Sequence, residues 1–212
     1  MDVAFMVEIF PDMVAALWMT VRISVLAIAA SIIFGALLTA FRIMGGRGAR
    51  WFVIGFVELT RGAPPLVHIS IVYFLLPQFG LLLSEFWTGV VALSLVGAGY
   101  TVEIFRGAID SIDDAQIDAS RALGLSPWQT FFLILLPQAV RRSLPPLTNE
   151  LANVVKASSL LSVISVNELT KVANDLIFVN FVVIEVLIEL TVLYLLIIGV
   201  LMAASRWLEA RA

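Results

Sequence analysis

The segment DAQIDASRALGLSPWQTFFLILLPQA, residues 114–139, is a polar island in a chain that is otherwise very hydrophobic. Ser111 or Asp114 can cap a short helix at its start, because both side chains accept hydrogen bonds from the free N–H groups of a first turn. Gly124 can end that helix, since glycine adopts the left-handed conformation without strain. We therefore expect an exposed helix here that meets a soluble partner.

A second helix is predicted directly after this glycine. Ser126 can serve as its N-cap, Pro127 suits its first position, and Gln129 completes a capping box. On the first helix, small apolar residues recur at three- and four-residue spacing and predict a smooth apolar stripe. The stripe consists of Ala115, Ala119, Ala122 and Leu123. The segment is thus expected to form two short helices joined by a tight turn.

The composition around this island is that of an integral membrane protein. Of the 212 residues, 61% are hydrophobic and the mean hydropathy is +1.03, whereas soluble domains are about half apolar. This length suits a single transmembrane domain over residues 1–212, without an attached soluble domain. Cysteine is absent, which excludes disulfides and thiolate chemistry.

Five stretches are long and apolar enough to predict about five transmembrane helices in an all-α membrane protein. The second is interrupted by Gly62, Pro64 and Pro65, and because the prolines remove helical hydrogen bonds these residues predict a break that can act as a gate or hinge. The fourth is more polar than the others. The five stretches are residues 13–41, 51–79, 86–109, 144–161 and 181–207.

Loop charges predict the orientation of these spans. The loop after the first span carries Arg42, Arg47 and Arg50, and positive loops face the cytoplasm. The N-terminus is then outside and the C-terminus cytoplasmic. The polar island, with a coupling region at about residues 112–139, falls on the cytoplasmic side between the third and fourth spans.

The fourth predicted span is too polar to face lipid, so it is expected to line the interior of the bundle or a subunit seam. Its candidate substrate-pathway residues are Glu150, Asn153, Ser158 and Ser159. A carboxylate within the membrane is a functional candidate because it can bind an amino group. The alternative for Glu150 is a salt bridge to Lys156 or to an arginine of another helix.

Other charged residues leave two interpretations open. Glu185 and Glu189 share a helix face one turn apart, and they either line a pathway or lie near water at the outer end of the last span. Arg22 forms an interior pair or extends its charge to the interface. Glu58 and Arg61, beside the break, are expected to pair with each other.

Three parts of the polar island together resemble the EAA signature of bacterial ABC-importer permeases. They are Asp118-Ala119-Ser120, then Gly124, then Ile134-Leu135-Leu136-Pro137. Three further segments are similar to the polar amino-acid branch of that family. These are RGAPPLV at 61–67, EIFRGAI at 103–109 and LPPLTNE at 144–150.

This resemblance implies a permease subunit of an ATP-driven importer that moves a polar amino acid or an amino-acid-derived solute across the bacterial inner membrane. The implied partners are an ABC ATPase subunit dimer, a second permease subunit, an external solute-binding protein and the lipid bilayer, with no nucleic acid. The chain has no GxxxxGK[ST] loop for phosphates, so ATP and Mg²⁺ are expected on the ATPase. The residues implied in ATPase coupling are Asp118, Ala119, Ser120, Arg121, Gly124 and Leu125.

One departure from the family's pattern affects the solute. Similar permeases have Asn-Glu, six residues and then Asp, where this chain has Asn149, Glu150 and finally Ala157. The change argues against a cationic amino acid, and it leaves open a structural half of a heterodimeric permease that binds no solute. An intramembrane enzyme is disfavoured, because the single histidine, His68, has no cysteine or Gly-x-Ser-x-Gly turn to accompany it. Neither catalytic residues nor a metal site are expected.

Overall fold

The computed structural model describes residues 2–211, which are all-helical, as the sequence predicts. Short 3₁₀ segments follow α3 and α7, and a π turn precedes α7. The helices are α1 (Val3–Met44), α2 (Arg47–Gly62), α3 (Pro65–Leu75), α4 (Glu85–Asp110), α5 (Asp114–Ala122), α6 (Pro127–Thr130), α7 (Leu136–Ala157), α8 (Leu169–Asn180) and α9 (Ile184–Glu209).

Three helices of the described chain are long and apolar enough to cross a membrane: α1, α4 and α9, whose 18-residue apolar stretches have mean hydropathies of 2.4, 1.5 and 2.6. Helix α1 has 42 residues, or about 63 Å at 1.5 Å per residue, twice the thickness of a hydrocarbon core. It begins ten residues before the predicted first span because Asp2 caps it, accepting a hydrogen bond from the Phe5 N–H at 3.1 Å.

The predicted break in the second span is present. Helices α2 and α3 meet at an angle of 106°. Together, with the 3₁₀ turn up to Phe79, they are long and apolar enough to form one broken span. Both follow α4: Thr60 of α2 lies against Gly99, and Ile69 of α3 packs in one cluster with Leu93. The break therefore lies beside the middle of α4.

The fourth predicted span differs from the helix that forms. Helix α7 begins at Leu136, eight residues early, and ends at Ala157, where a 3₁₀ segment, Ser158–Ile164, continues the chain. It is not among the helices that are long and apolar enough to cross a membrane. Several of its polar residues are nevertheless buried among neighbouring helices, as expected for a helix that avoids lipid.

Small residues let α1 and α4 approach closely. A Cβ at Gly35 would lie 2.6 Å from the Thr101 Cβ, and a Cβ at Gly97 would meet Ser31. The Ser31 hydroxyl donates to the Ala27 carbonyl at 2.7 Å. Small side chains and hydroxyls satisfied within their own helix are typical of helix contacts in membranes.

The expected short helix near residue 168 is α8. Its N-cap, Glu168, is fully buried and accepts hydrogen bonds from the N–H groups of Thr170 at 2.9 Å and Lys171 at 2.7 Å. The Tyr194 hydroxyl of α9 donates to the same carboxyl at 3.2 Å. Burial raises the pKa of Glu168 to about 7, because these hydrogen bonds offset only part of the cost of desolvating its charge.

Candidate coupling surface and central cavity

The polar island contains one short helix, α5, capped by a residue other than those predicted. Asp113 is the N-cap and accepts a hydrogen bond from the Ala115 N–H at 2.9 Å. Ser111 and Asp114 do not cap it, since Asp114 already belongs to the first turn and Ser111 faces α7. The cap lies between the two expected residues because the chain leaves α4 through a turn at Ser111 and Ile112.

The end of α5 is as the sequence predicts. Gly124 has φ of +75°, and its N–H donates to the Arg121 carbonyl at 2.9 Å, while the Leu125 N–H donates to the Ser120 carbonyl at 3.0 Å. This pair of hydrogen bonds is a Schellman motif. A side chain at this position would be strained by the backbone conformation, although no atom lies within 4 Å of a Cβ there.

The predicted capping box is also present, but the helix it starts is not a separate short one. The Gln129 N–H donates to Ser126 Oγ at 3.3 Å, and the Ser126 N–H donates to Gln129 Oε1 at 2.9 Å. Helix α6 then passes through the π turn Phe131–Leu135 directly into α7. Pro137 lacks the N–H that an α-helix needs, and a π turn accommodates such a gap.

Polar contacts link α5, and the turn before it, to the start of α7. Gln138 donates to Gln116 Oε1 at 2.6 Å. Arg142 donates to Ser111, reaching its hydroxyl at 3.0 Å and also its carbonyl oxygen. Beneath these contacts lies a small apolar cluster of Ala108, Ile109, Ile112, Leu135 and Ala139. The turn that leads into α5 is thus held by α7, and α5 itself is linked to α7 through Gln116 and Gln138.

The coupling residues implied by the resemblance divide into accessible and inaccessible side chains. Asp118 and Arg121 form an exposed ion pair at 3.0 Å, Ala119 and Gly124 are exposed, and Leu125 is half-buried. Ser120 is only 1% exposed.

The Ser120 hydroxyl lies 2.9 Å from the Thr130 hydroxyl and donates to the Ile117 carbonyl at 2.7 Å. Its side chain therefore holds α5 against α6 and does not reach a partner.

Two large apolar side chains on this surface were not among the predicted coupling residues. Leu123 is 78% exposed and Trp128 is 57% exposed, and the Trp128 ring stacks on Phe132 with centroids 5.8 Å apart. Leu123 belongs to the predicted apolar stripe, and all four residues of that stripe are exposed to solvent. Exposed apolar side chains around an ion pair are typical of an interaction surface.

A second candidate site is a cavity of about 200 Å³ between α3, α4 and α7. It contains two predicted pathway residues, Glu150 and Asn153, and one predicted hinge residue, Pro65. Its lining residues are Pro65, Leu93, Val96, Gly97, Tyr100, Glu150, Asn153, Val154 and Ala157. Sequence reasoning missed Tyr100, although it follows Gly97 by three residues and so shares its helix face.

Glu150 is the buried charge of this cavity. It is 9% exposed, and Asn153 Nδ2 donates to its Oε2 at 3.3 Å. Among residues 2–211 it forms no ion pair within 4 Å, so neither Lys156 nor an arginine makes the direct salt bridge of the alternative, and Arg61 of α2 acts on its charge only from a longer distance. Lys156 is exposed instead. A buried carboxylate with one amide donor is poorly compensated, which favours a cationic ligand group.

The other two predicted pathway residues lie outside the cavity. Ser158 is fully buried and donates to the Val155 carbonyl at 2.7 Å, while Ser159 donates to the Lys156 carbonyl at 2.8 Å. Ala157, where similar permeases have an aspartate, does line the cavity. The cavity therefore has an apolar wall at that position.

The break between α2 and α3 is closed by a histidine. His68 Nδ1 lies 3.2 Å from the Pro64 carbonyl oxygen, and Nε2 lies 3.2 Å from the Leu59 carbonyl oxygen. Gly62 ends α2, and no atom lies within 4 Å of a Cβ placed there. The hinge residues thus combine open space at Gly62 with a side-chain link across the bend.

The sequence predicts a pair between Arg61 and Glu58, and this prediction is wrong. Its guanidinium lies 5.3 Å from the centre of the Tyr100 ring and 3.8 Å from Glu103 Oε2. The long-range partner prevails because α2 packs along α4 and turns Arg61 toward it. Since Tyr100 lines the cavity, a positive charge lies near its rim.

The remaining charged residues, Arg22, Glu185 and Glu189, lie in three different surroundings. Arg22 lies over the Phe86 ring at 5.2 Å. Glu185 accepts a hydrogen bond from the Asp2 N–H at 2.9 Å. Glu189 is buried, and within the described chain its two carboxyl oxygens have no hydrogen-bond partner. None of the three lines the central cavity.

Comparison with known proteins gives a consistent family. A model of the family described as binding-protein-dependent transport system inner membrane component matches residues 27–212. The glutamine transport system permease protein GlnP of Escherichia coli K12 is 38% identical over 203 residues, which cover 95% of this chain and 93% of that protein. The probable amino-acid ABC transporter permease protein YckA of Bacillus subtilis is 37% identical over 168 residues, covering 79% and 74%.

The fold has a close match among solved structures. A crystal structure of an amino acid ABC transporter with histidines superposes with a TM-score of 0.92 at 28% identity, covering 100% of this chain and 99% of that one. These findings confirm the family resemblance first seen in the polar island.

Proposed function

Because this chain belongs to the family of binding-protein-dependent transport system inner membrane components, we propose that it forms the path for a polar amino acid or an amino-acid-derived solute. Its homology to amino-acid ABC importer permeases makes it a transport subunit and not an enzyme. The identity of the solute and the residues that contact it are what we propose.

The observation that supports this proposal most is the cavity at the broken span. Its buried carboxylate, Glu150, suits an α-amino group, since charge-assisted hydrogen bonds are stronger than neutral ones. Ala157 places an apolar wall where a second acid would receive a cationic side chain. We infer a solute with an amino group and an uncharged polar remainder, such as the glutamine of the E. coli relative's name.

Movement of the path is assigned to α5 and to the break. Helix α5 would be gripped by an ATPase that binds ATP and Mg²⁺, with Asp118, Ala119, Arg121, Gly124 and Leu125 at the contact. Ser120 supports that contact from behind through Thr130. Gly62, Pro64 and Pro65 would serve as the hinge, because a helix already broken changes its angle at low cost.

The proposed arrangement in the membrane has five spans in a single domain: α1, the α2–α3 pair, α4, α7 and α9. The N-terminus would be outside and the C-terminus cytoplasmic in the bacterial inner membrane. Two permease subunits would enclose the path, with an ATPase dimer on the α5 side and a solute-binding protein on the other. The polar α7, shielded by α4 and α9, supports this arrangement.

Solute binding to the purified permease–ATPase complex tests the assignment of Glu150. We expect Glu150→Gln to weaken binding of glutamine roughly 10- to 100-fold, because a hydrogen bond to a charged group contributes about 1.5–3 kcal/mol. Glu58→Gln is the matched control, since Glu58 makes the same chemical change on an exposed face of α2, outside the cavity. Binding that is equal in the two variants would place the solute elsewhere.

The apolar Ala157 also favours a second candidate function, a structural half of a heterodimeric permease. In that case the complex containing only this permease chain binds no amino acid from a panel, and binding appears only with a second, different permease chain. In a complex whose permease subunits are all copies of this chain, Ala157→Asp would then not create amino-acid binding.

A further inference from the structure

A second charged cavity lies at the end of the bundle that carries α5, away from the central cavity. It has a volume of about 280 Å³ and lies where α1 and α4 end and α2 begins. This is slightly smaller than most sites for drug-sized ligands, at about 300–1,000 Å³. Its lining residues are Thr39, Arg42, Ile43, Arg50, Arg106, Ile109 and Asp110.

The charges around this cavity do not balance. Glu103 Oε1 lies 3.0 Å from Arg42 Nη1, and Glu103 Oε2 lies 2.8 Å from Arg106 Nη2 and 3.8 Å from Arg61 Nη1. Arg106 also pairs with Asp110 at 2.6 Å. Arg50 is exposed and forms no ion pair within residues 2–211. Three guanidinium groups thus share two carboxylates and Arg50 adds a fourth positive charge, which leaves a positive excess at the cavity.

These carboxylates also orient the arginines. Glu103 takes two hydrogen bonds from Arg106 Nε and one from its Nη2, so one edge of that guanidinium is fixed. Arg42 is mostly buried and held by the same carboxylate. A guanidinium that is already ordered loses little entropy when it binds an oxyanion. Arg50 lies in the first turn of α2, where the positive end of the helix dipole adds to its charge.

The surroundings of the cavity are those of a membrane interface. Trp51 and Phe52, next to Arg50 on α2, are exposed, as is Phe41 on α1. The Phe41 and Phe52 rings meet edge to face with centroids 6.3 Å apart. Exposed aromatic side chains are typical of the headgroup level of a bilayer. Basic pockets between transmembrane helices at this level suit anionic headgroups.

We propose that this arginine-lined cavity binds a phosphate group, carried either by an anionic phospholipid or by a free phosphate ion. Arg42, Arg50 and Arg106 supply the donors, and the exposed aromatic residues Phe41, Trp51 and Phe52 give an acyl chain a surface to lie on. Thr39 contributes less, because its hydroxyl already donates to the Gly35 carbonyl at 2.8 Å. The assignment goes beyond transport of a solute and involves no residue of the central cavity.

The test uses the purified permease–ATPase complex in a neutral detergent and measures binding of short-chain phosphatidylglycerol by native mass spectrometry. Arg50→Gln removes the guanidinium without an intramolecular ion pair, so the Glu103 contacts stay intact. Arg47→Gln is the matched control, because Arg47 is exposed on the same first turn but does not line the cavity. Both variants lose one positive charge.

We expect Arg50→Gln to weaken phosphatidylglycerol binding roughly fivefold, the effect of about one interfacial charge, and Arg47→Gln to leave it unchanged. Competition by inorganic phosphate distinguishes the two sources: no displacement at millimolar concentration identifies the lipid headgroup, and displacement identifies the free ion. Equal losses in both variants would reveal only general attraction to a positive surface and would overturn the site. An unchanged affinity in Arg50→Gln would overturn it as well.

Discussion

Replacing Gly97 with alanine tests the close packing that forms the central cavity. Gly97 lies on α4, between α1 and α7. A Cβ there would contact Ser31 Oγ, and it would lie 3.0 Å from the Ser31 Cβ and 3.3 Å from the Val154 Cγ2. The change therefore compresses three helices at once, directly at the wall of the cavity.

The size of the effect follows from what can yield. Ser31 cannot turn away without giving up its 2.7 Å hydrogen bond to the Ala27 carbonyl, which contributes about 1 kcal/mol. Val154 is β-branched and stiff, so the backbones must separate. Overpacking of this kind costs about 1–3 kcal/mol, and a chain of this size loses roughly 2–4 °C in Tm per kcal/mol.

Thermal unfolding of the detergent-purified complex, followed together with glutamine binding, is the assay. Gly199→Ala is the control, because Gly199 lies within α9, which is apolar enough to cross a membrane, and a Cβ there meets no atom within 4 Å. We expect Gly97→Ala to lower Tm by roughly 2–12 °C and to weaken binding, with Gly199→Ala close to wild type. If both variants have the same Tm, the helices do not pack at Gly97 as described.

Two further predictions concern the ends of the molecule. Arg142→Ala should weaken the coupling of ATP hydrolysis to solute transport in proteoliposomes, because it removes the link between α7 and Ser111, in the turn through which α4 leads into α5. The neighbouring exposed Arg141→Ala should not, and equal transport per ATP in the two variants would contradict a role for that link. The second prediction concerns Glu168, whose pKa is raised to about 7 in the folded state. A carboxyl with a raised pKa favours folding when it is protonated. Its contribution to the free energy of unfolding is therefore present below the unfolded-state pKa of 4.5 and is lost as pH rises through 7. Tm of wild type should thus fall between pH 5 and 8, and Glu168→Gln should flatten that fall; an equal slope in the variant would count against the assigned pKa.

The sequence predicts local chemistry at the coupling surface well. The left-handed Gly124, the Ser126–Gln129 capping box and the proline break are all present, because each depends on residues within a few positions of one another. The broad outline, an all-helical membrane protein, follows from composition in the same way.

Tertiary contacts decide what the sequence does not predict. Ser120 turns inward because Thr130, ten residues away, offers a hydrogen bond. Arg61 leaves its near neighbour Glu58 because α2 packs along α4 and brings Glu103 within reach. Ser158 and Ser159 leave the cavity because α7 tightens to a 3₁₀ helix at that point and rotates its faces. None of these choices is visible in a pattern of residues three or four apart.

Helix α7 connects the two candidate sites, and its prolines decide how rigidly. Arg142, which holds the turn before α5, and Glu150, which lines the cavity, lie eight residues apart on it, or about 12 Å at 1.5 Å per residue. Pro145 and Pro146 lie between them inside the helix and remove two backbone hydrogen bonds, which would by itself make the connection flexible.

Bracing on the far side of the prolines offsets this flexibility. The Thr148 hydroxyl donates to the Leu144 carbonyl at 3.0 Å, across the proline pair, and lies 3.0 Å from Glu209 Oε1 at the end of α9. A displacement of α5 would, on the proposed mechanism, reach Glu150 through a segment that Thr148 braces against the end of α9. On the proposed mechanism, α9 acts as the fixed surface against which the ATPase changes the shape of the solute cavity.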